Sequence, residues 1–235
     1  MSADACVATP PASPALPPAS GLGAWCDRSF RAALVASDDR RSLAAVHALR
    51  FQVYCLDRGF LPAADHPTGE EHDAYDQRSL QVLAHAVDGR VAGSVRLVRS
   101  QRPGDLPCEE HARFTDARVG LVDRGAAGEV SRLVVHREFR GGPGGEARSG
   151  GTPLILLALY RRLFQASRAA GVRWWFAAME RPHARAMAGL GFAPAEIGPS
   201  CDYYGPVWPY LFDLDEVEEE LARSQPALLA WFRTV

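Results

Sequence analysis

Hydrophobic and polar positions follow two periods along this chain, and the switches between them mark its elements. Residues 29–35 read as a first strand. Ser37, Asp38 and Asp39 then offer acceptors and negative charge at the start of a helix running to about residue 57. Its Leu43, Val46, Leu49 and Val53 recur at three- and four-residue spacing and make one buried face. Spacing alone reads Arg50, beside that face, as a solvated arginine. Residues 58–79 lose the pattern: Gly59, Pro62, Pro67 and Gly69 break it, and Glu70, Glu71, Asp73 and Asp76 follow. A loop of that length in a compact domain is often a lid or a binding segment. Two β-rich runs, 80–87 and 90–100, flank Asp88-Gly89 and predict a hairpin. Further on, the pattern predicts a short helix over 107–114, a strand over 128–137, a helix over 152–170 closed by Gly171, and a strand over 172–179. Trp174 and Trp175 put a ring on each face of that last strand. A short helix over 182–190, strands over 193–197 and 207–214, and a terminal helix broken near Pro226 complete the chain.

The strand over 128–137 is the one to explain. Val130, Leu133, Val134 and Val135 are β-formers, yet Glu129, Ser131 and Arg132 stand among them. Charges taken out of water cost several kcal/mol unless paired, so these groups must find partners or face a wet cleft. Arg96 raises the same question inside the second strand of the hairpin, and the acidic loop upstream can supply its carboxylate. After the strand come six glycines and a proline between Arg140 and Thr152. Thr152 reads as an N-cap with Pro153 at the first helical position. Strand, glycines, helix is an order that holds ligands at a helix N-terminus.

Composition narrows the classes. The chain has 235 residues, 47% of them hydrophobic, and a net charge of −2, which suits one α/β domain over residues 25–235. Residues 1–24, rich in Ala, Pro and Ser, read as a flexible tail. All 26 basic residues are arginine, so a lysine Schiff base or P-loop lysine is excluded. The near-neutral balance makes no case for nucleic acid, and no apolar run approaches the length of a membrane span. Cys6, Cys26, Cys55, Cys108 and Cys201 lack metal or redox spacing. His66 and His72 lie near the acidic loop without ordered ligand spacing, so no metal is expected. The default compartment is the cytoplasm.

In this order the elements resemble the GNAT acyltransferase fold, an α/β architecture whose mixed, mostly antiparallel sheet is flanked by helices. Residues 183–192, His-Ala-Arg-Ala-Met-Ala-Gly-Leu-Gly-Phe, resemble that superfamily's late motif. Three segments go further: Glu-His-Asp-Ala-Tyr-Asp at 71–76, Gly-Ser-Val-Arg-Leu at 93–97 and Glu-Val-Ser-Arg-Leu at 129–133. They are similar to the signature of acyl-homoserine-lactone synthases and of N-acyl amino acid synthases, including exosortase-associated acyltransferases. Arg50-Phe51 is similar to that family's N-terminal arginine–aromatic element.

The resemblance implies an N-acyltransferase that moves a long-chain fatty acyl group from acyl carrier protein, or acyl-CoA, to a small amine such as an amino acid. No tightly bound cofactor is implied. Glu129, Ser131 and Arg132 would be catalytic: Glu129 as a base acting through a water, tuned by burial and Arg132, with backbone amides after Ser131 as oxyanion donors. Arg50, Glu71, Asp73, Asp76 and Arg96 would position the amine and pin the loop; on the residues alone these charges equally well only brace it. Arg137, Arg140, Arg148, Gly150, Gly151 and Thr152 would meet the acyl donor. The usual GNAT pyrophosphate loop is not matched cleanly by Arg140-Gly-Gly-Pro-Gly-Gly or by Arg148-Ser-Gly-Gly-Thr-Pro153, and Pro153 lacks an amide proton. A carrier protein, whose acidic surface Arg137, Arg140, Arg148, Arg161 and Arg162 would face, explains that weakness, and a disordered Gly loop beside ordinary surface arginines explains it equally well. A lactone synthase using S-adenosylmethionine, a CoA-dependent N-acetyltransferase and a non-catalytic acyl-binding scaffold remain as alternatives.

Overall fold

The computed structural model describes residues 19–140 and 151–234. Helix α1 (Ala19–Ser29) leads into strand β1 (Phe30–Val35), and helix α2 (Arg40–Phe51) follows, with the Asp39 carboxylate accepting from Ser42 N at 3.0 Å. The hairpin forms as β2 (Ser79–Ala86) and β3 (Val91–Arg99), with Gly89 at φ 86° in its turn. Then come β4 (Ala127–Val135), α3 (Gly151–Ala169), β5 (Trp174–Met179), α4 (Arg181–Gly189), β6 (Ala195–Glu196), β7 (Cys201–Asp202), β8 (Pro206–Asp213), α5 (Leu214–Ser224) and α6 (Pro226–Arg233). The strands form one sheet in the order β1-β2-β3-β4-β5-β8-β6, with β7 on β8. Every pairing is antiparallel except β4 with β5. This is the mixed, mostly antiparallel sheet that the resemblance to the GNAT fold implies.

Several boundaries differ from the sequence reading. Helix α1 falls across the tail boundary set at residue 24, because Leu22 and Cys26 bury one side of it in the main core. The short segment over 107–114 is a single 3₁₀ turn, Pro107–Glu110. Helix α3 starts at Gly151, so Thr152 lies inside its first turn and donates its hydroxyl to Phe139 O at 2.9 Å instead of capping. Strand β7 escaped prediction, since two residues carry no period.

The two faces of the sheet differ in kind. One is continuous hydrocarbon: Val82, Val95, Leu97 and Val130 pack against Leu154, Ile155, Leu159 and Leu163 of α3, with α1, α4, α5 and α6 around them. Trp175 is fully buried there, its indole N–H donating to Ser167 Oγ at 2.9 Å. The other face has two small apolar clusters. One gathers Leu49, Val53 and Val134 under α2; the second gathers Leu106, Cys108, Phe176, Ile197 and Leu211. Polar side chains fill the strip between them. No described helix is long and apolar enough to cross a membrane.

Helix α3 packs closely on the sheet at Gly93. A Cβ there would lie 2.8 Å from Ile155 Cγ2 and 2.8 Å from Val134 O, and the second of these is backbone that cannot turn aside. Gly93→Ala is therefore expected to cost about 1–3 kcal/mol in denaturant unfolding, as overpacked core sites do. An unchanged midpoint would mean that α3 can lift away freely.

Candidate active site

Strand register builds the polar strip. Gln81 pairs with Arg96, Arg96 with Ser131, Val98 with Glu129, and Glu129 with Phe176, so these side chains share one face. Between Ser94 and Arg96 of β3, strand β4 carries an extra residue, since their partners are Val134 and Ser131. The bulge places Arg132 at φ 49°, a left-handed conformation that costs a non-glycine residue about 1–3 kcal/mol and persists only when surrounding contacts hold it.

Those contacts come from the acidic loop. Arg132 Nη2 lies 3.2 Å from Glu71 Oε1 and 3.2 Å from Asp73 Oδ2, and its guanidinium sits over the Tyr54 and Tyr204 rings, 4.9 and 5.4 Å from their centres. Arg96, fully buried, binds Asp73 Oδ1 at 2.6 Å and Asp76 Oδ1 at 2.9 Å and donates from Nε to Ser131 Oγ at 3.1 Å. Arg50 is fully buried too, against the solvated reading from spacing: its Nε binds Glu71 and its Nη1 binds Asp76 Oδ1 at 2.7 Å. Gln81 Nε2 donates to the same Asp76 oxygen at 2.8 Å. Three arginines from α2, β3 and β4 thus meet three carboxylates from one loop. Burial alone would raise Glu71, but its hydrogen bond and charge contact with Arg50, joined by Arg132, hold it at about 2. Asp76 is likewise driven down against its burial, by Arg50 and then Arg96.

Strands β4 and β5 pair only from Ala127 with Trp174 to Glu129 with Phe176, then part. A cavity of about 240 Å³ fills the gap. Its walls are Glu129 to Leu133 of β4, Ala177 to Met179 at the end of β5 with Glu180 after it, Tyr160 of α3, His183 of α4, and an aromatic cluster of Tyr54, Phe60, Tyr203 and Tyr204. Phe60 stacks on Tyr204 at 5.7 Å, and Tyr54 meets both rings edge-on. Tyr54 reaches the cavity because α2 runs on into a wider π turn, Gln52–Asp57, which turns its side chain out of the helical register.

Glu129 stands apart from the network. It is 1% exposed, and among the described residues it has no ion-pair partner. Its Oε2 accepts from Cys108 N at 2.7 Å. Burial pushes its carboxyl up to about 7, against the lowering effect of the Cys108 hydrogen bond and of the more distant Arg96 and Arg132. The sequence reading had Glu129 tuned by burial and Arg132; burial is the larger influence, and Arg132, bound to the loop, acts from a distance.

The structure brings together Arg50, Glu71, Asp73, Asp76, Arg96, Ser131 and Arg132, with Glu129 beside them. Of the loop-binding arginines only Arg132 lines the cavity. The donor-side residues are more dispersed. Arg140 binds Asp57, and Arg161 binds Asp27 at 3.0 Å beneath Trp231, while Arg148 and Gly150 lie outside the described residues. Tyr54, Phe60, Tyr203, Tyr204 and Cys108 were not singled out as site residues from sequence. They sit in turns and loops, where no period announces which side chains converge.

Residues 49–147 match the acetyltransferase (GNAT) domain model. That match spans 99 of the 235 residues, and over it the chain resembles a GNAT domain. Comparison with curated proteins gives no match. Among solved structures, the GNAT fold seen here is shared with TofI in a ternary complex with an inhibitor and MTA (19% identity, 85% of this chain and 98% of that chain, TM-score 0.58). It is shared with BjaI, a CoA-dependent acyl-homoserine lactone synthase solved with SAM and isopentyl-CoA (18% identity, 83% and 88%, TM-score 0.56). It is shared also with FeeM, an N-acyl amino acid synthase from uncultured soil microbes (12% identity, 83% and 96%, TM-score 0.54). At these identities the likeness establishes the fold. The match supports an acyltransferase, and strands β2, β3 and β4 all lie within the matched segment.

Proposed function

We propose that this acyltransferase moves a fatty acyl group from the phosphopantetheine thioester of acyl carrier protein to the amine of an amino acid. The observation that carries the reading is Glu129: a buried carboxyl raised to about 7, without a cation to neutralise it, on the wall of a cavity between two parting strands. A general base works best when its pKa lies near the working pH. In the proposed reaction the amine gives a proton to Glu129, directly or through a water, and its nitrogen attacks the thioester carbon. The C–N bond forms, the tetrahedral oxyanion collapses, the C–S bond breaks, and the thiolate takes up a proton. Backbone amides of β4 beyond Glu129 have no β5 partner and supply the oxyanion with donors that need no rearrangement. The ion-pair network holds the loop and Arg132 in place around the acceptor.

The fold neighbours named for lactone synthesis and for N-acyl amino acid synthesis make the acceptor the thing to measure. The full chain is incubated with fatty acyl carrier protein, the common amino acids and S-adenosylmethionine, with acyl-CoA replacing the carrier in a parallel tube, and products are read by mass spectrometry. An acyl amino acid from the carrier tube is the expected result. An acyl lactone would transfer the protein to the lactone synthases; product from acyl-CoA alone would remove the carrier. No product from any donor would end the acyl-transfer reading.

A further inference from the structure

Two charged side chains of β4 line the cavity, and each keeps one polar atom uncommitted. Arg132 donates to Glu71 from Nε and Nη2, and from Nη2 also to Asp73 and the Tyr204 hydroxyl. Among the described residues nothing accepts from its Nη1. Glu129 is bound through Oε2, to Cys108 N, which leaves Oε1 open. Arg50 and Arg96 also have an unbonded nitrogen, Nη2 in each, but those atoms are sealed from solvent and neither residue lines the cavity. Arg132 is 7% exposed and its Nη1 is not among the sealed atoms, so it opens on the cavity that its side chain walls. Of the other polar wall groups, Tyr160 and His183 answer each other at 2.8 Å.

An open guanidinium N–H sets a condition on whatever fills the cavity. A ligand that displaces water from Nη1 without offering an acceptor leaves a charged donor desolvated, which is costly. A ligand that offers a carboxylate gains a charge-assisted hydrogen bond instead. Arg132 is already fixed by Glu71, Asp73 and the Tyr54 and Tyr204 rings, so that bond needs little further ordering of the side chain. The network itself is balanced, with three arginines against three carboxylates, so the wall has no surplus charge to draw in an anion alone. What matches is a neutral zwitterion, whose carboxylate meets Nη1 and whose ammonium meets Glu129 three residues away on the same strand.

We propose that Arg132 Nη1 binds the α-carboxylate of the acceptor while Glu129 receives its amine. The enzyme therefore takes amino acids with a free carboxylate and discriminates against their amides, simple amines and peptide N-termini. The inference rests on the acyl-transfer reading and gives Arg132 a task beyond holding the loop.

The test gives the full chain fatty acyl carrier protein with one of two acceptor pools, the common amino acids or the same amino acids as α-carboxamides, and reads products by mass spectrometry. Rates are then measured for the best acid and its amide. The amide has the more easily deprotonated amine, so a preference for the acid cannot come from amine basicity. In the wild type kcat/KM is expected to favour the acid by about 10- to 100-fold, the worth of one hydrogen bond between charged groups. In Arg132→Gln that ratio should fall to within about three-fold of unity, whatever the overall rate. Arg132→Lys, which keeps a cation against Glu71 and Asp73, should retain more of the ratio than glutamine does, and is read against the wild type if Arg132→Gln does not fold. A merely structural role would slow acid and amide alike and leave the ratio standing, which would overturn the proposal, as would equal use of the two pools by the wild type. Product from neither pool is a separate failure, that of the acyl-transfer reading itself.

Discussion

Glu129→Gln is expected to lower kcat at neutral pH by about 10²–10⁴-fold, the usual worth of a positioned base, and to make the protein more stable as pH rises. The second half follows from linkage. A carboxyl whose folded pKa is raised contributes stability that is fully present below its unfolded value and is lost as pH climbs through the folded value. For Glu129 that window runs from its ordinary 4.5 to about 7. Above it the wild type carries a buried, unneutralised charge at a cost on the order of 3 kcal/mol, which glutamine does not. Denaturant melts of the two proteins should coincide at the acid end of the window and diverge, in favour of the mutant, at the alkaline end. Wild-type activity in the mutant would remove Glu129 as base. Parallel stability curves at all pH would mean that its carboxyl is solvated.

Arg50→Met is expected to be the most damaging single change to the fold. Arg50 is fully buried and bound to Glu71 and Asp76, so its removal leaves two buried carboxylates short of a cation, with Arg132 alone beside Glu71 and Arg96 beside Asp76. Breaking one side of such a pair costs about 3–5 kcal/mol, which for a chain of this size lowers Tm by on the order of 10 °C. The sign of the pH dependence is opposite to that of Glu129. Carboxyls held down by arginine stabilise above their unfolded pKa, and that stability drains away as pH falls through the folded value, about 2 for Glu71. Scanning calorimetry between neutral and acid pH should show the wild type losing this stability on acidification, while the mutant, having lost the pairing, changes less. A Tm within a degree or two of wild type at neutral pH would show that water reaches the network.

How much of this was legible in the sequence depends on whether a residue's neighbours are set by period or by topology. The hairpin, β4, α3 and β5 carry long apolar runs and clear turn residues, so they fell within a few positions of their places. Glu129 and Arg96 were legible as anomalies, charges in strands that had to be resolved. The carboxylates that resolve Arg96 were found too, because loop and strand lie close in sequence. Arg50 was misread on spacing alone, since nothing in a helix repeat says that a loop twenty residues on will fold back over it; only the family resemblance put it with the loop acids. The aromatic cluster was invisible for a stronger reason. Tyr54 depends on a π turn, Phe60 on the loop after it, and Tyr204 on a backbone at φ 59°, and no local preference links the three. Cys108 looked like any small buried residue; its meaning lies in one hydrogen bond across 21 positions.

The bridge from Arg132 to Glu71 spans 61 positions, while Arg96 reaches back 23 and Arg50 forward 21 to the same loop. Each is a contact of high sequence separation whose loop-closure entropy must be met before it contributes. Because each arginine sits on a different element, the bonds cannot close one by one on a half-built sheet: β4 must already lie beside β3, and α2 across both. The full set of bonds therefore requires the assembled sheet, and with any one element out of place the loop loses part of its anchorage. Catalytic competence in this protein is a readout of finished topology, so that a chain trapped short of the native state is not a slow enzyme but an inactive one.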